Sequence, residues 1–121
     1  MTCNAASRDF CIKHGYSGVS ENPDGMVFRF KNANETAYDF AGSEVVFFAR
    51  YGGLVLRKTS ADNGVLVDLT ESLVTVPISV EESRIFRALS FVPYELERRI
   101  GMSQELLVQG TITIKAGIND D

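Results

Sequence analysis

From Asp39 to Ile114 the chain is a succession of short apolar runs parted by Gly, Asn, Asp and Ser. The runs are Glu44-Val-Val-Phe-Phe-Ala-Arg50, Leu54-Val-Leu-Arg57, Val65-Leu-Val-Asp68, Val74-Thr-Val-Pro-Ile78, Phe91-Val-Pro-Tyr-Glu-Leu-Glu97 and Leu106-Leu-Val-Gln-Gly-Thr-Ile-Thr-Ile114. Each has the length and the branched or aromatic content of a β-strand, and the close spacing of turn residues leaves little room for helices. This cadence predicts an all-β domain: an immunoglobulin-like antiparallel β-sandwich. Upstream, Phe10, Ile12 and His14 alternate with Cys11 and Lys13, a period of two that predicts a first strand closed by Gly15. Met26, Phe28 and Phe30 share one face of a strand that runs to Lys31. Val45 to Ala49 is apolar without a break, as suits a central strand covered on both faces.

The joints between these runs carry their own chemistry. Tyr51-Gly-Gly-Leu54 predicts a tight hairpin, because paired glycines accept the positive φ of such turns. Asp62-Asn-Gly64, Thr70-Glu-Ser72 and Gly101-Met-Ser103 predict further reversals, the second of which pairs Val65–Leu69 with Val74–Ile78. Ser-Gly, Asn-Pro and Asp-Gly make residues 15–25 a turn-rich loop, and 32–36 a second joint. The one helical segment is 79–88, where Ser79 can cap a turn with Glu82 three residues on, and Ile85 and Leu89 can share a face. It is too short to stand alone and predicts one or two turns crossing between sheets. Val92, Tyr94 and Leu96 alternate with Pro93, Glu95 and Glu97, which turns Tyr94 inward with its hydroxyl bonded to backbone. Pro93 lacks the N–H of a ladder rung and so predicts an edge or bulge. Two hairpins and a crossing turn favour a Greek-key arrangement.

A length of 121 residues fits one domain. Its division is an N-terminal arm at 1–8, the sandwich at 9–116 and an acidic tail at 117–121. Apolar residues make up 45% of the chain, enough for a core, which excludes wholesale disorder. The net charge of −4 and the absence of a basic stripe argue against nucleic acid, whose phosphates need clustered Lys and Arg. The single basic doublet, Arg98-Arg99, sits beside Glu95 and Glu97 and reads as a self-compensated hairpin end. No segment approaches the ~20 apolar residues that span a bilayer, and the first residues lack the pattern of a signal peptide.

Candidate chemistry is sparse. The lone histidine, His14, and Cys11 lie on opposite faces of one strand, so a Cys–His nucleophilic pair is not expected. Cys3 and Cys11 leave a disulfide open. With one His they fall short of a structural zinc set, so neither metal nor cofactor is expected. Asp62, Asp68, Glu71, Glu81 and Glu82 lack the dense alternation of a calcium loop. Exposed Tyr16, Tyr38 or Tyr51 would suit a carbohydrate-binding face, since aromatic planes stack on sugar rings. Phe47 and Phe48 are adjacent, so one must point out of the sheet and need cover, from a partner or from the chain's own loop or helical turn. With Pro93, these two are the candidate partner contacts.

The order of the segments resembles a known group, the immunoglobulin-like baseplate upper protein N-terminal domains of tailed phages. The matching pieces are Asp9-Phe-Cys-Ile-Lys-His-Gly15, Asp39-Phe-Ala-Gly42, Val45-Val-Phe-Phe-Ala-Arg50 and Gly53-Leu-Val-Leu56. Asn63-Gly64, Val74–Ile78, Ser79–Arg84, Tyr94-Glu-Leu-Glu97 and Leu107-Val-Gln-Gly-Thr-Ile-Thr113 follow in the same order, with Ser17–Gly25 standing as an insertion. The resemblance implies a non-enzymatic virion structural protein of the tail, baseplate or tail-fibre region, made in the host cytoplasm. Its partners would be other phage particle proteins, and it would act as a homo-oligomer or within a symmetric assembly. A carbohydrate-binding sandwich is the alternative.

Overall fold

The computed structural model describes residues 6–30 and 40–117. Among the described residues, nine strands form two sheets. They are β1 (Ala6–Ser7), β2 (Phe10–Lys13), β3 (Met26–Arg29), β4 (Glu44–Tyr51), β5 (Leu54–Thr59), β6 (Leu66–Asp68), β7 (Leu73–Val76), β8 (Phe91–Ile100) and β9 (Ser103–Lys115). One sheet runs β1-β9-β8-β4-β5, with β2 also on β9, and the other runs β3-β7-β6. This division of strands is the immunoglobulin-like sandwich, with β3, β7 and β6 as its B, E and D and β9, β8, β4 and β5 as its G, F, C and C′. The core between the sheets is built from alternate residues, among them Phe10, Met26, Phe28, Phe47, Val74, Tyr94, Leu96 and Ile112. Among the described residues no helix is long and apolar enough to cross a membrane.

The sandwich is not wholly antiparallel. Both β1 and β2 run parallel to β9, with Ala6 opposite Val108 and Phe10 opposite Ile112. Of the segment read as an arm, residues 1–5 lie outside the described residues, but Ala6–Ser7 is a strand of the sheet and Arg8 is bound into it. The Arg8 N–H donates to the Gln109 carbonyl at 3.1 Å, and the Tyr94 hydroxyl donates to the Arg8 carbonyl at 2.5 Å. Gly110 makes this approach possible: a Cβ there would lie 1.9 Å from the Arg8 carbonyl oxygen. Burial pushes the Tyr94 phenol well above its usual range, and the nearby Asp9 charge adds to the effect.

Turn chemistry plays out as the residues predict. Gly52 and Gly53 have φ of 57° and 86° and close a hairpin that pairs Tyr51 with Leu54. β6 and β7 pair antiparallel across the Thr70–Ser72 reversal. The helical element α1 is a single turn, Val80–Ser83, crossing from β7 to β8. Its capping box is complete: Ser79 Oγ accepts from the Glu82 N–H at 3.1 Å, and Glu82 Oε1 accepts from the Ser79 N–H at 2.9 Å. The expected Ile85–Leu89 face does not form. Leu89 takes φ of 71° and is 77% exposed, because its N–H turns to the Ile114 carbonyl at 2.6 Å and docks the chain on β9. The loop between Gly15 and Gly25 laces the edge of β2 to the second sheet. There the Ser20 N–H donates to the Cys11 carbonyl, and the Gly18 N–H to the Ile78 carbonyl, each at 2.8 Å.

Candidate functional site

β4 and β8 are neighbours in the interior of the larger sheet, and their outward residues share one face, on which Val46 is fully covered, Phe48 is half-buried, and Arg50 and Glu95 are exposed. The pair registers Phe48↔Arg57, Phe48↔Glu95 and Val46↔Glu97 place Phe48, Arg57, Glu95 and Glu97 on it. Phe47 points the other way and is 0% exposed, so this candidate partner contact is a core residue and cannot reach a partner. Phe48 is the outward member. Its cover is neither the Gly15–Pro23 loop nor the helical turn. The Arg57 and Arg99 guanidiniums stand 5.5 and 5.6 Å from its ring centroid, attracted by the negative face of the π-system. Arg99 is held in place by Glu97, with Nε donating to Oε1 at 2.6 Å.

Pro93 is not at a sheet edge, and the bulge in this sheet falls at Leu96/Glu97 instead. β8 lies between β9 and β4, and the proline acts inside the sheet. The Thr111 N–H, opposite Pro93 on β9, turns away to Asp9 Oδ1 at 2.9 Å, so that pair shares no hydrogen bond. Pro93 therefore directs its nitrogen toward β4, at the rung where Arg50 would need a donor. The β4–β8 ladder ends one rung before, at Ala49↔Tyr94, while β8 continues along β9 to Phe91↔Thr113. A shallow groove of about 430 Å³ opens at that point, lined by Phe48, Arg50, Pro93, Glu95, Glu97, Arg99 and Gln104. A second depression of about 440 Å³ shares Pro93 and Glu95 with it and extends across β9 to Ser7, Asp9 and Thr111. The floor is aromatic and aliphatic, and the walls carry both signs of charge. Such a surface can pair a carboxylate with Arg50, beside the Phe48 ring that Arg57 and Arg99 cover.

The remaining candidates scatter. Tyr16 is half-buried beneath Lys13, whose ammonium lies 5.2 Å from its ring centroid. Tyr51 is 47% exposed at the tip of the β4–β5 hairpin, and Tyr38 lies outside the described residues. Cys11 sits on β2 opposite Thr113, His14 follows the end of that strand, and Cys3 lies outside the described residues. Among the described residues, no three His, Cys, Asp or Glu side chains converge as metal ligands. Of the acidic residues weighed as calcium ligands, Asp62, Asp68, Glu71 and Glu82 serve turns, a cap and ion pairs. Asp62 accepts from the Gly64 N–H, Asp68 from the Thr70 and Glu71 N–H groups, and Glu71 pairs with Arg29. Glu82 is buried enough to raise its carboxyl pKa. Hydrogen bonds from Lys58 and Ser79 and the Lys58 charge outweigh that burial and hold it below its ordinary value.

Arg50, Arg57 and Arg99 were not among the candidates read from the chain. The Phe48–Arg57 pair was within reach, since counting back from the Gly52–Gly53 turn sets those residues opposite each other. The approach of Arg99 to Phe48 was not, because it depends on how β8 lies beside β4. Compared with known proteins, the chain matches no family model, and no curated protein matches it.

Proposed function

We propose that this chain is a non-enzymatic structural protein of a tailed-phage or prophage particle, of its tail, baseplate or tail-fibre region. It works by docking to other particle proteins, as one copy among several in a symmetric assembly. The observation that carries the docking reading is the groove over β4 and β8, where Phe48, Pro93 and the arginines are presented on a rigid sheet. Aromatic and arginine side chains are the types that anchor protein interfaces. The assignment to a phage particle rests on the resemblance of the ordered segments from about Asp9 to Ile114.

Mass spectrometry of particles purified after induction of the source strain tests it. Recovery at a fixed ratio to the major tail protein is expected, and absence from intact particles overturns the reading. Carbohydrate binding is the second reading, favoured by the exposed Tyr51 at the hairpin tip. Glycan-array binding that is lost in Tyr51→Ala would put it first.

A further inference from the structure

The two lateral sides of the sandwich end differently. On one side, the outer edge of β2 is met by the Ser20 N–H, and the outer edge of β3 by Arg8, whose Nη1 donates to the Val27 carbonyl at 2.8 Å. On the other side β5 pairs with β4, and no described strand lies on its outer edge. The hairpin geometry says which of its groups are left over. Tyr51 and Leu54 close the turn as a hydrogen-bonded pair, so Leu54, Leu56 and Lys58 bond to β4, while Val55 and Arg57 turn N–H and C=O outward. A row of unmade donors and acceptors is a template for one more strand.

The side chains along this edge set the character of that strand. Val55 is 46% exposed, and it stands on the outer face beside Arg57, with Arg50 next to it on β4. Among the described residues neither Arg50 nor Arg57 has a carboxylate partner. Glu44, the acidic residue of β4, accepts from Thr59 Oγ1 at 2.6 Å. Exposed Leu54 at the hairpin tip and exposed Leu66 on β6, the free edge of the other sheet, give the same side apolar surface.

We propose that the β5 edge receives an extended segment of a partner protein in which apolar and acidic residues alternate. Its backbone pairs with Val55 and Arg57, an apolar residue covers Val55, and a carboxylate meets Arg57 and Arg50. A second copy of this chain fits less well. Antiparallel self-pairing centred on Leu56 would set the Arg57 side chains of the two copies diagonally across one face, beside both Arg50 residues. The junction between the copies would then carry a row of guanidiniums with no carboxylate among them. The proposal rests on the docking reading and names the partner's chemistry.

The test titrates the full chain with a capped peptide of alternating valine and glutamate, and with its valine–lysine counterpart. Amide hydrogen exchange and affinity are followed together. The glutamate peptide slows exchange at Val55 and Arg57 by about tenfold or more, and the lysine peptide does not. Arg57→Glu weakens binding at least about tenfold. Arg57→Pro, which removes an outward N–H and no rung of the β4–β5 ladder, abolishes it. Unchanged exchange at saturating glutamate peptide, or undiminished binding by Arg57→Pro, overturns the proposal. Concentration-dependent self-association that Arg57→Pro abolishes overturns it in favour of a second copy. Particle recovery is a separate readout: a particle that lacks the chain defeats the docking reading whatever the peptide does, whereas a silent peptide defeats the β5 edge alone.

Discussion

The side of the sandwich that carries the N-terminal strands is closed by the parallel ladders of β1 and β2 on β9 together with side-chain hydrogen bonds at Arg8 and Asp9, while on the side that carries β5 only the Thr59 end of that strand's outer edge is met by main chain, from Gly64 and Val65. Around Gly110 the Arg8–Asp9 segment is fastened at several points within hydrogen-bonding distance. The Tyr94 hydroxyl reaches the Arg8 carbonyl, the Thr111 N–H reaches Asp9, and the Arg8 guanidinium crosses to β3 over the rings of Phe10 and Phe28. On the opposite side Lys58 bridges the sheets, donating to the Pro77 carbonyl and to Glu82 Oε1, the latter at 2.9 Å. The first arrangement cannot yield without breaking main-chain contacts, while the second leaves the edge of β5 accessible. One side stabilises the fold, and the other is free to meet a partner.

The sharpest way to break this contrast is Gly110→Ala. A methyl group 1.9 Å from the Arg8 oxygen must displace backbone, and a loss of about 3 kcal/mol is expected, read as a lower urea midpoint. Gly52→Ala is the control. Nothing lies within 4 Å of its added Cβ, so the cost is the ~1 kcal/mol of a positive φ alone.

Lys58→Met tests the other side. It strands the Glu82 carboxylate at a site where the lysine side chain is 10% exposed and the glutamate 25%, and a loss of about 2 kcal/mol is expected from chemical denaturation. The pH dependence has a definite sign. The Glu82 carboxyl is depressed in the folded chain, so its contribution is full above the ordinary value of 4.5 and fades as pH falls through the lower folded value. The stability gap between the parent chain and Glu82→Gln should therefore be widest near neutral pH and narrow in acid. A gap that widens in acid would contradict the assignment.

Tyr94→Phe sharpens the comparison with a smaller change. It leaves the ring packed against Phe47, centroids 5.6 Å apart, and removes the bond to Arg8 at a cost of about 1.5 kcal/mol. Amide exchange should quicken at Arg8, whose N–H bonds to Gln109, before it quickens in β4. The smallest effect is expected at the open edge. Arg57→Ala, which gives up the cation–π contact with Phe48, and Leu66→Lys should each shift stability by less than about 1 kcal/mol in thermal melts, because neither side chain is packed in the core. A large loss at either would show that the β5–β6 side is structural after all.

Much of the sandwich was legible in local pattern. The strand runs, the Gly52–Gly53 hairpin, the Thr70–Ser72 reversal and the Ser79–Glu82 capping box all depend on residues close in sequence, whose conformational preferences act without distant help. The candidate site was legible only in part. Adjacency of Phe47 and Phe48 guaranteed one outward ring, but the alternation that made the guarantee could not say which. Pro93 was readable as a missing donor and was misplaced at an edge, because the place of β8 within the sheet is a long-range property.

What the order of residues carries by itself is the run of short strands, their turns and the two faces of each, since side-chain alternation and φ preferences are local. The parallel docking of Ala6–Ser7 on β9, the need for a bare glycine at position 110, the two arginines around Phe48 and the inequality of the two sides arise only when distant segments meet. Gly110 lies 102 residues from Arg8, and nothing near either one in the chain announces the other. Contacts of that kind are chosen by the packing of whole sheets: at position 110 a side chain would occupy the place that the Arg8 carbonyl takes.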